Sequence, residues 1–109
     1  PRRRIKVRGG EVSIGQVKRN LDIERLAGAA ATAIGLKGPC NVQIIQTLDR
    51  AVVIEINPRI GGGLPLSAAA GAPIIEQAIL QAIGQEVNLF SADIKDGLTM
   101  MRYDDSIFV

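Results

Sequence analysis

Residues 52–63 read V-V-I-E-I-N-P-R-I-G-G-G, and this stretch decides the fold. It runs from an apolar strand straight into a glycine-rich loop. Side chains on a strand alternate faces with a period of two, so Val52, Ile54 and Ile56 are expected on one face and Glu55 and Asn57 on the other. Pro58 cannot donate to a ladder and should end the strand. Arg59 then projects from the exit, followed by Gly61, Gly62 and Gly63. A carboxylate and an amide oxygen beside a guanidinium and bare backbone amides suit a metal–phosphate complex. Oxygen ligands hold Mg²⁺, the guanidinium grips phosphate in a fork, and glycine amides approach anionic oxygens closely.

Just upstream, residues 41–47 form the partner strand of a hairpin, with Leu48, Asp49 and Arg50 as its turn. Residues opposite one another in an antiparallel pair share a face. For Gln43 to join Glu55 and Asn57, the turn must hold an odd number of residues or a bulge must intervene. A three-residue turn sets Gln43 opposite Glu55, Asn41 opposite Asn57, Val42 opposite Ile56 and Ile44 opposite Ile54. A two-residue turn would bury the Gln43 amide on the apolar face, at a cost of roughly 1–3 kcal/mol without a partner. The odd turn is therefore the expectation.

Outward from the hairpin, residues 2–8 alternate as a strand, Gly9-Gly10 bends the chain, and residues 11–17 form a weaker second strand. Asn20 and Asp22 signal a helix start. Ile23, Leu26, Ala27, Ala30, Ala33 and Ile34 follow helical spacing up to a stop at Gly35. Gly38-Pro39 breaks the chain before the hairpin. Residues 65–71 are expected as a short helix. Pro73 opens another, with Ile74, Ile75, Ala78, Ile79, Ala82 and Ile83 as its buried stripe and Gly84 as its stop. Residues 85–97 are expected to be irregular, and residues 98–103 and 107–109 to close as a hairpin across Asp104-Asp105-Ser106. The class is α+β, a mostly antiparallel sheet with packed helices.

Composition narrows the function. The 109 residues fit one domain or part of one. No apolar run reaches the roughly 18 residues a membrane helix needs, and no signal-peptide pattern is present, so no membrane partner is expected. With no His and the single Cys40, a His-based triad or a zinc site within this chain is excluded. The lone cysteine argues for a reducing, cytoplasmic setting, and Cys40 itself reads as a small core residue. Arg2, Arg3, Arg4, Lys6 and Arg8 make the start basic, but no stacking aromatics are interleaved. A solvated strand face with one or two functional arginines is expected rather than a nucleic-acid patch.

With G-P-C-N-V-Q, V-I-E-I-N-P-R and G-G-G-L-P-L-S-A-A-A-G-A-P-I in this order, the chain resembles the C-terminal half of an ATP-grasp domain. It looks most like the ATP-grasp proteins related to the carbamoyl-phosphate synthase large subunit. The resemblance runs from about Ile5 to the end and is strongest over residues 38–74. It implies an enzyme that makes an acyl phosphate from ATP and a small carboxylate, which an amine then attacks. It further implies Gln43, Glu55 and Asn57 as ligands of Mg²⁺ (or Mn²⁺), with Glu55 bridging ions that contact the ATP phosphates. Arg59 matches an arginine that steadies the transferring phosphoryl group. Arg8 falls loosely where relatives carry a residue near the phosphates, and Gly61 and Gly62 are candidates for phosphate or substrate contact.

The departures are informative. Gly61-Gly62-Gly63 replaces polar residues that follow the same arginine in the carbamoyl-phosphate synthases, so a carboxylate larger than bicarbonate is expected. The family's glycine-rich phosphate loop and ATP-binding lysines are not found here. The chain is therefore expected to be part of a longer polypeptide, with the nucleotide-gripping half in its missing N-terminal part, and to show no turnover alone. A non-catalytic interaction domain that keeps the fold is the alternative. A homodimer that covers exposed apolar surface is consistent with either reading.

Overall fold

The computed structural model describes residues 1–87 and 93–109. Its elements, in chain order, are β1 (Arg2–Arg8), β2 (Glu11–Val17), α1 (Leu21–Ala33), β3 (Asn41–Gln46), β4 (Ala51–Asn57), α2 (Leu64–Ala69), α3 (Ile74–Ala82) and β5 (Thr99–Met101). The strands form two antiparallel sheets, one in the order β1-β2-β5 and one made of β3 and β4. The α+β expectation is met, with two sheets in place of one.

Gly9 and Gly10, at φ 56° and 81°, make the tight turn between β1 and β2. Positive φ at both central residues gives the twist that a two-residue hairpin requires. Helix α1 starts as its sequence directs: the Asn20 side chain accepts hydrogen bonds from the Asp22 and Ile23 amides, each at 3.1 Å. It ends at Gly35, φ 64°, whose left-handed conformation suits glycine. Ile23, Leu26, Ala27 and Ala30 are half-buried, and the helix packs on β3 and β4. The stripe stops short of its expected end, since Ala33 and Ile34 are exposed.

The buried core lies between β2, α2 and β5. Val17, Leu66 and Ala70 are its fully buried apolar residues, with Ile94, Leu98 and Met100 packed against them. Gly15 is buried in β2, where a Cβ would stand 2.9 Å from Val12 Cγ1 and 3.4 Å from Leu66 Cδ2. Glycine here lets α2 lie directly on the strand.

Two expectations are corrected at the C-terminal side. Residues 107–109 form no strand. Instead β5 pairs with β2, Ile14 opposite Met101 and Gln16 opposite Thr99, so the chain returns to a sheet edge already present. On α3, the expected buried stripe divides. Ile74 and Ala78 are half-buried, whereas Ile75, Ile79 and Ile83 form an exposed line at 45%, 57% and 63%. A nine-residue helix touching its neighbours on one side covers only a narrow arc of its surface. The expected irregular stretch at 85–97 is free of helix and strand where it is described, and residues 88–92 lie outside the described residues. Among the described residues no helix is long and apolar enough to cross a membrane.

The accessible surface is 8176 Å². A compact monomer of this mass exposes about 5,800 Å². The difference resides partly in apolar side chains, among them Ile45, Val52, Ile54, Ile75, Ile79 and Ile83.

Candidate metal and phosphate site

The β3–β4 hairpin sets the register of the site. Asn41 pairs with Asn57, Val42 with Ile56 and Gln43 with Glu55. These three pairs are as expected, but the means of reaching them is not a three-residue turn. Ile44 pairs with Val53, Ile45 with Val52 and Gln46 with Ala51, and the register shifts between Gln43 and Ile44. The Thr47 amide donates to the Arg50 carbonyl at 2.8 Å, which leaves Leu48 and Asp49 as a two-residue tip. A bulge at Ile54, rather than an odd turn, returns Gln43 to the face of Glu55. Such an insertion leaves one residue unpaired and re-aims the side chains beyond it. The apolar set changes accordingly. Val53 and Ile56 share the half-buried face with Val42 and Ile44, whereas Val52 and Ile54 are 42% and 56% exposed.

One face of this hairpin therefore carries two cross-strand polar pairs in a row. At the first, the Gln43 Nε2 donates to Glu55 Oε2. The orientation of the Gln43 amide follows from its neighbours. Arg4 Nη2 donates to Gln43 Oε1 at 2.7 Å, and a guanidinium only donates while a carboxylate only accepts. At the second, Asn57 stands opposite Asn41, whose Oδ1 accepts from Arg2 Nη2 at 3.2 Å. Arg2 also donates through Nη1 to Ser67 Oγ of α2 at 2.9 Å. Burial, and after it the neighbouring Arg4 charge, lowers the Arg2 pKa from its usual value. Alternate arginines of β1 thus reach alternate amides of β3.

The glycine loop closes over this arrangement. A Cβ on Gly61 would meet Asn41 Cγ at 3.0 Å, and one on Gly63 would meet Arg2 Cζ at 2.9 Å. At Gly62 the Glu11 carboxylate fills the equivalent space. Arg102 bonds the Gly62 carbonyl and pairs with Glu11 Oε2 at 3.3 Å, so the loop leaving β4 is tied to the three-stranded sheet. The glycines here serve close approach, since Gly61, Gly62 and Gly63 all lack positive φ.

The structure brings together Gln43, Glu55 and Asn57, with Gly61 against the neighbouring Asn41. Arg59 stands two residues beyond Asn57 at the strand exit, and its guanidinium turns to the Ile60 carbonyl at 3.2 Å. Arg8 lies at the opposite end of β1 from Arg2 and pairs with Asp104 at 2.6 Å. The sequence places Arg2 and Arg4 only in a basic strand face and Asn41 only opposite Asn57, and Arg102 in no site at all. The period-two spacing of Arg2 and Arg4 was its one signal for them, since their partners lie 39 positions away.

The donor set suits a hard divalent ion. One carboxylate and two carboxamide oxygens are what Mg²⁺ or Mn²⁺ takes when a nucleotide supplies the remaining ligands, although Gln43 Oε1 here accepts from Arg4 and Glu55 Oε2 from Gln43. Among the described residues no three His, Cys, Asp or Glu side chains cluster as an all-protein metal cage.

A family model described as "ATP-grasp in the biosynthetic pathway with Ter operon" matches residues 1–105. The chain belongs to the ATP-grasp family. Curated relatives include the carbamoyl phosphate synthase large chain of Clostridium botulinum (strain Alaska E43 / Type E3), 39% identical over 59 residues, covering 53% of this chain and 6% of that protein. The large chain of Xanthomonas axonopodis pv. citri is 40% identical over 73 residues, 64% of this chain and 7% of that protein. That of Clostridium beijerinckii is 34% identical over 67 residues, 61% of this chain and 6% of that protein. The chain thus spans under a tenth of these relatives' length. The ATP-grasp fold is of the ATP-dependent ligase type, and the family generally uses ATP with Mg²⁺.

Proposed function

We propose that this chain is the metal- and phosphate-holding part of an ATP-dependent carboxylate–amine ligase, corresponding to the C-terminal portion of an ATP-grasp domain. The observation that carries this reading is the pair of adjacent polar cross-strand oppositions, Gln43 with Glu55 and Asn41 with Asn57, backed by arginines from β1. Gln43, Glu55 and Asn57 would hold Mg²⁺ or Mn²⁺. Arg59, at the exit of β4, would swing from the Ile60 carbonyl to the transferring phosphoryl group. The amides of Gly61 and Gly62 would line its path, and Arg8 would contribute from the far end of β1 only after leaving Asp104.

Phosphoryl transfer relies on positioning and charge neutralisation, which is what this residue set offers. A carboxylate oxygen of the substrate attacks the γ-phosphorus of ATP. The bond from that phosphorus to the bridging oxygen breaks, and ADP leaves with the electron pair. The amine nitrogen then attacks the acyl carbon, the carbon–oxygen bond to phosphate breaks, and the nitrogen loses a proton to solvent. Bound Mg²⁺ would supply neutralisation of the polyphosphate charge. The chain's own residues orient the polyphosphate and keep the γ-phosphoryl group in line with the attacking oxygen.

The nucleotide-gripping half would come from further polypeptide, and the isolated chain would not turn over. The exposed apolar line on α3 and the large surface support contact with additional protein, either more of the same chain or a second copy.

The test uses the complete protein with Mg²⁺, ATP and a panel of small carboxylates, trapping acyl phosphate with hydroxylamine. Hydroxamate should form with at least one carboxylate, and Glu55→Gln should reduce it about a hundredfold or more. Undiminished hydroxamate formation in Glu55→Gln would refute the metal assignment. Absence of carboxylate-dependent ADP release from the wild type would leave the interaction-domain reading in its place.

A further inference from the structure

Arg4 has no part in the phosphoryl transfer described above, yet its guanidinium sits on the oxygen that the metal reading requires. Gln43 Oε1 accepts from Arg4 Nη2 at 2.7 Å, and the same amide's nitrogen donates to Glu55. Arg4 therefore neutralises Glu55 at one remove, through a polarised amide. Arg2, two residues earlier, makes the parallel contact to Asn41 but is held in place. It is half-buried and bonded to Ser67, whereas Arg4 is exposed.

We infer that Arg4 is a stand-in cation that occupies the Gln43 oxygen when no metal is bound and moves to the nucleotide phosphates when metal arrives. This rests on the metal reading of Gln43 and Glu55. A metal–oxygen bond of about 2.1 Å added to the 2.7 Å contact would bring the ion within about 5 Å of a retained guanidinium. Even in a water-like dielectric, a double and a single positive charge at that separation disfavour metal binding roughly tenfold. Both acceptors are also engaged, so a metal competes with Arg4 for Gln43 Oε1 and with the Gln43 amide for Glu55 Oε2. Once released, the guanidinium stands beside the site where polyphosphate charge would lie, and phosphate is its preferred partner. The arginine thus selects against the bare ion and in favour of the ion–nucleotide complex. Arg4 acts on the metal through Gln43 and on the nucleotide directly.

The experiment measures Mn²⁺ binding to the complete protein by electron paramagnetic resonance, first alone and then with a non-hydrolysable ATP analogue. In Arg4→Gln, Mn²⁺ alone should bind about tenfold more tightly than in the wild type, and Mn²⁺ with the analogue about tenfold more weakly. That opposite pair of changes is not produced by loss of a structural contact, which would weaken both. Unchanged or weakened Mn²⁺-alone affinity in Arg4→Gln, alongside lost Mn²⁺ binding in Glu55→Gln, overturns the inference and leaves the metal reading standing. Wild-type Mn²⁺ affinity in Glu55→Gln overturns both. A second measurement needs no substitution. Adding Mg²⁺ and the analogue to the wild type should shift the side-chain NMR signals of Gln43 and Arg4 together. A shift at Gln43 with none at Arg4 overturns the inference.

Discussion

Gly63→Ala should destabilise the protein, although backbone considerations alone favour it. Gly63 caps α2 at φ −82° and ψ 6°, a conformation alanine adopts freely. Replacing such a glycine restricts the unfolded chain and stabilises by about 0.4–1 kcal/mol. Against this stands Arg2, whose Cζ and Nη1 would each lie 2.9 Å from the new Cβ. The end of an arginine normally moves aside at little cost, but this one is fixed to Ser67 at 2.9 Å and Asn41 at 3.2 Å. Displacing it forfeits two hydrogen bonds made by a charged group, each worth about 1.5–3 kcal/mol when fully shielded. Arg2 is half-buried and can rehydrate in part, so about half of that sum is lost. The net expectation is a loss of about 2 kcal/mol, a fall in Tm of about 8 °C for a chain of this length. Gly62→Ala is the matched control, because the obstacle there is the exposed carboxylate of Glu11, which can turn away and surrender only a surface pair with Arg102. It should stay within about 0.5 kcal/mol of the wild type. Urea unfolding of both variants, repeated with Arg2→Met, gives the coupling directly. Gly63→Ala should lose most of its penalty once Arg2 is gone. Equal stability of the two alanine variants would refute the role given to Arg2.

Other expectations follow from the same contacts. Val53→Ala should cost about 1–2 kcal/mol and Ile54→Ala less than about 0.5 kcal/mol by the same unfolding assay, because the bulge turns Val53 inward and Ile54 outward; the reverse order would remove the bulge. Leu66→Ala removes three buried carbons from the core and should cost about 2.4 kcal/mol by transfer alone, with little added for a cavity, since Leu66 borders an open groove beside Leu98 and Met100. The backbone amide of Arg19 bonds the Asp96 carboxylate at 2.8 Å and holds its pKa below the usual 3.8. A depressed folded-state pKa contributes stability above the unfolded value that is lost as pH falls through the folded one. Asp96→Asn should therefore flatten the acid limb of the stability curve below about pH 4, measured by thermal melts across pH.

Much of this arrangement was legible along the chain, and what was not has a common cause. Asn20, Gly35, Pro58 and Gly84 mark their element ends by local chemistry, which a sequence displays directly. The Gln43–Glu55 and Asn41–Asn57 oppositions followed from requiring polar residues to share a face. The bulge did not, because a two-residue tip with one unpaired residue and a three-residue tip with none yield the same oppositions at Asn41, Val42 and Gln43. They part only nearer the tip, where Ile44 faces Val53 rather than Ile54 and Ile54 is left exposed. On α3, helical spacing counted apolar positions correctly but could not say how wide an arc neighbours would cover, so Ile75, Ile79 and Ile83 were misplaced. Residues 107–109 have strand-forming side chains, but the free edge of β2 took up residues 99–101 instead. Arg2 and Arg4 lie furthest from local inference, since their partners come from a different sheet.

The unpaired residue at position 54 insulates the ligand-bearing end of the hairpin from its tip. Shortening the chain by that one residue would leave a regular ladder in which Glu55 still confronts Gln43. The Leu48–Asp49 end can therefore lose one residue, with the spare position absorbing the change before Glu55 is turned over.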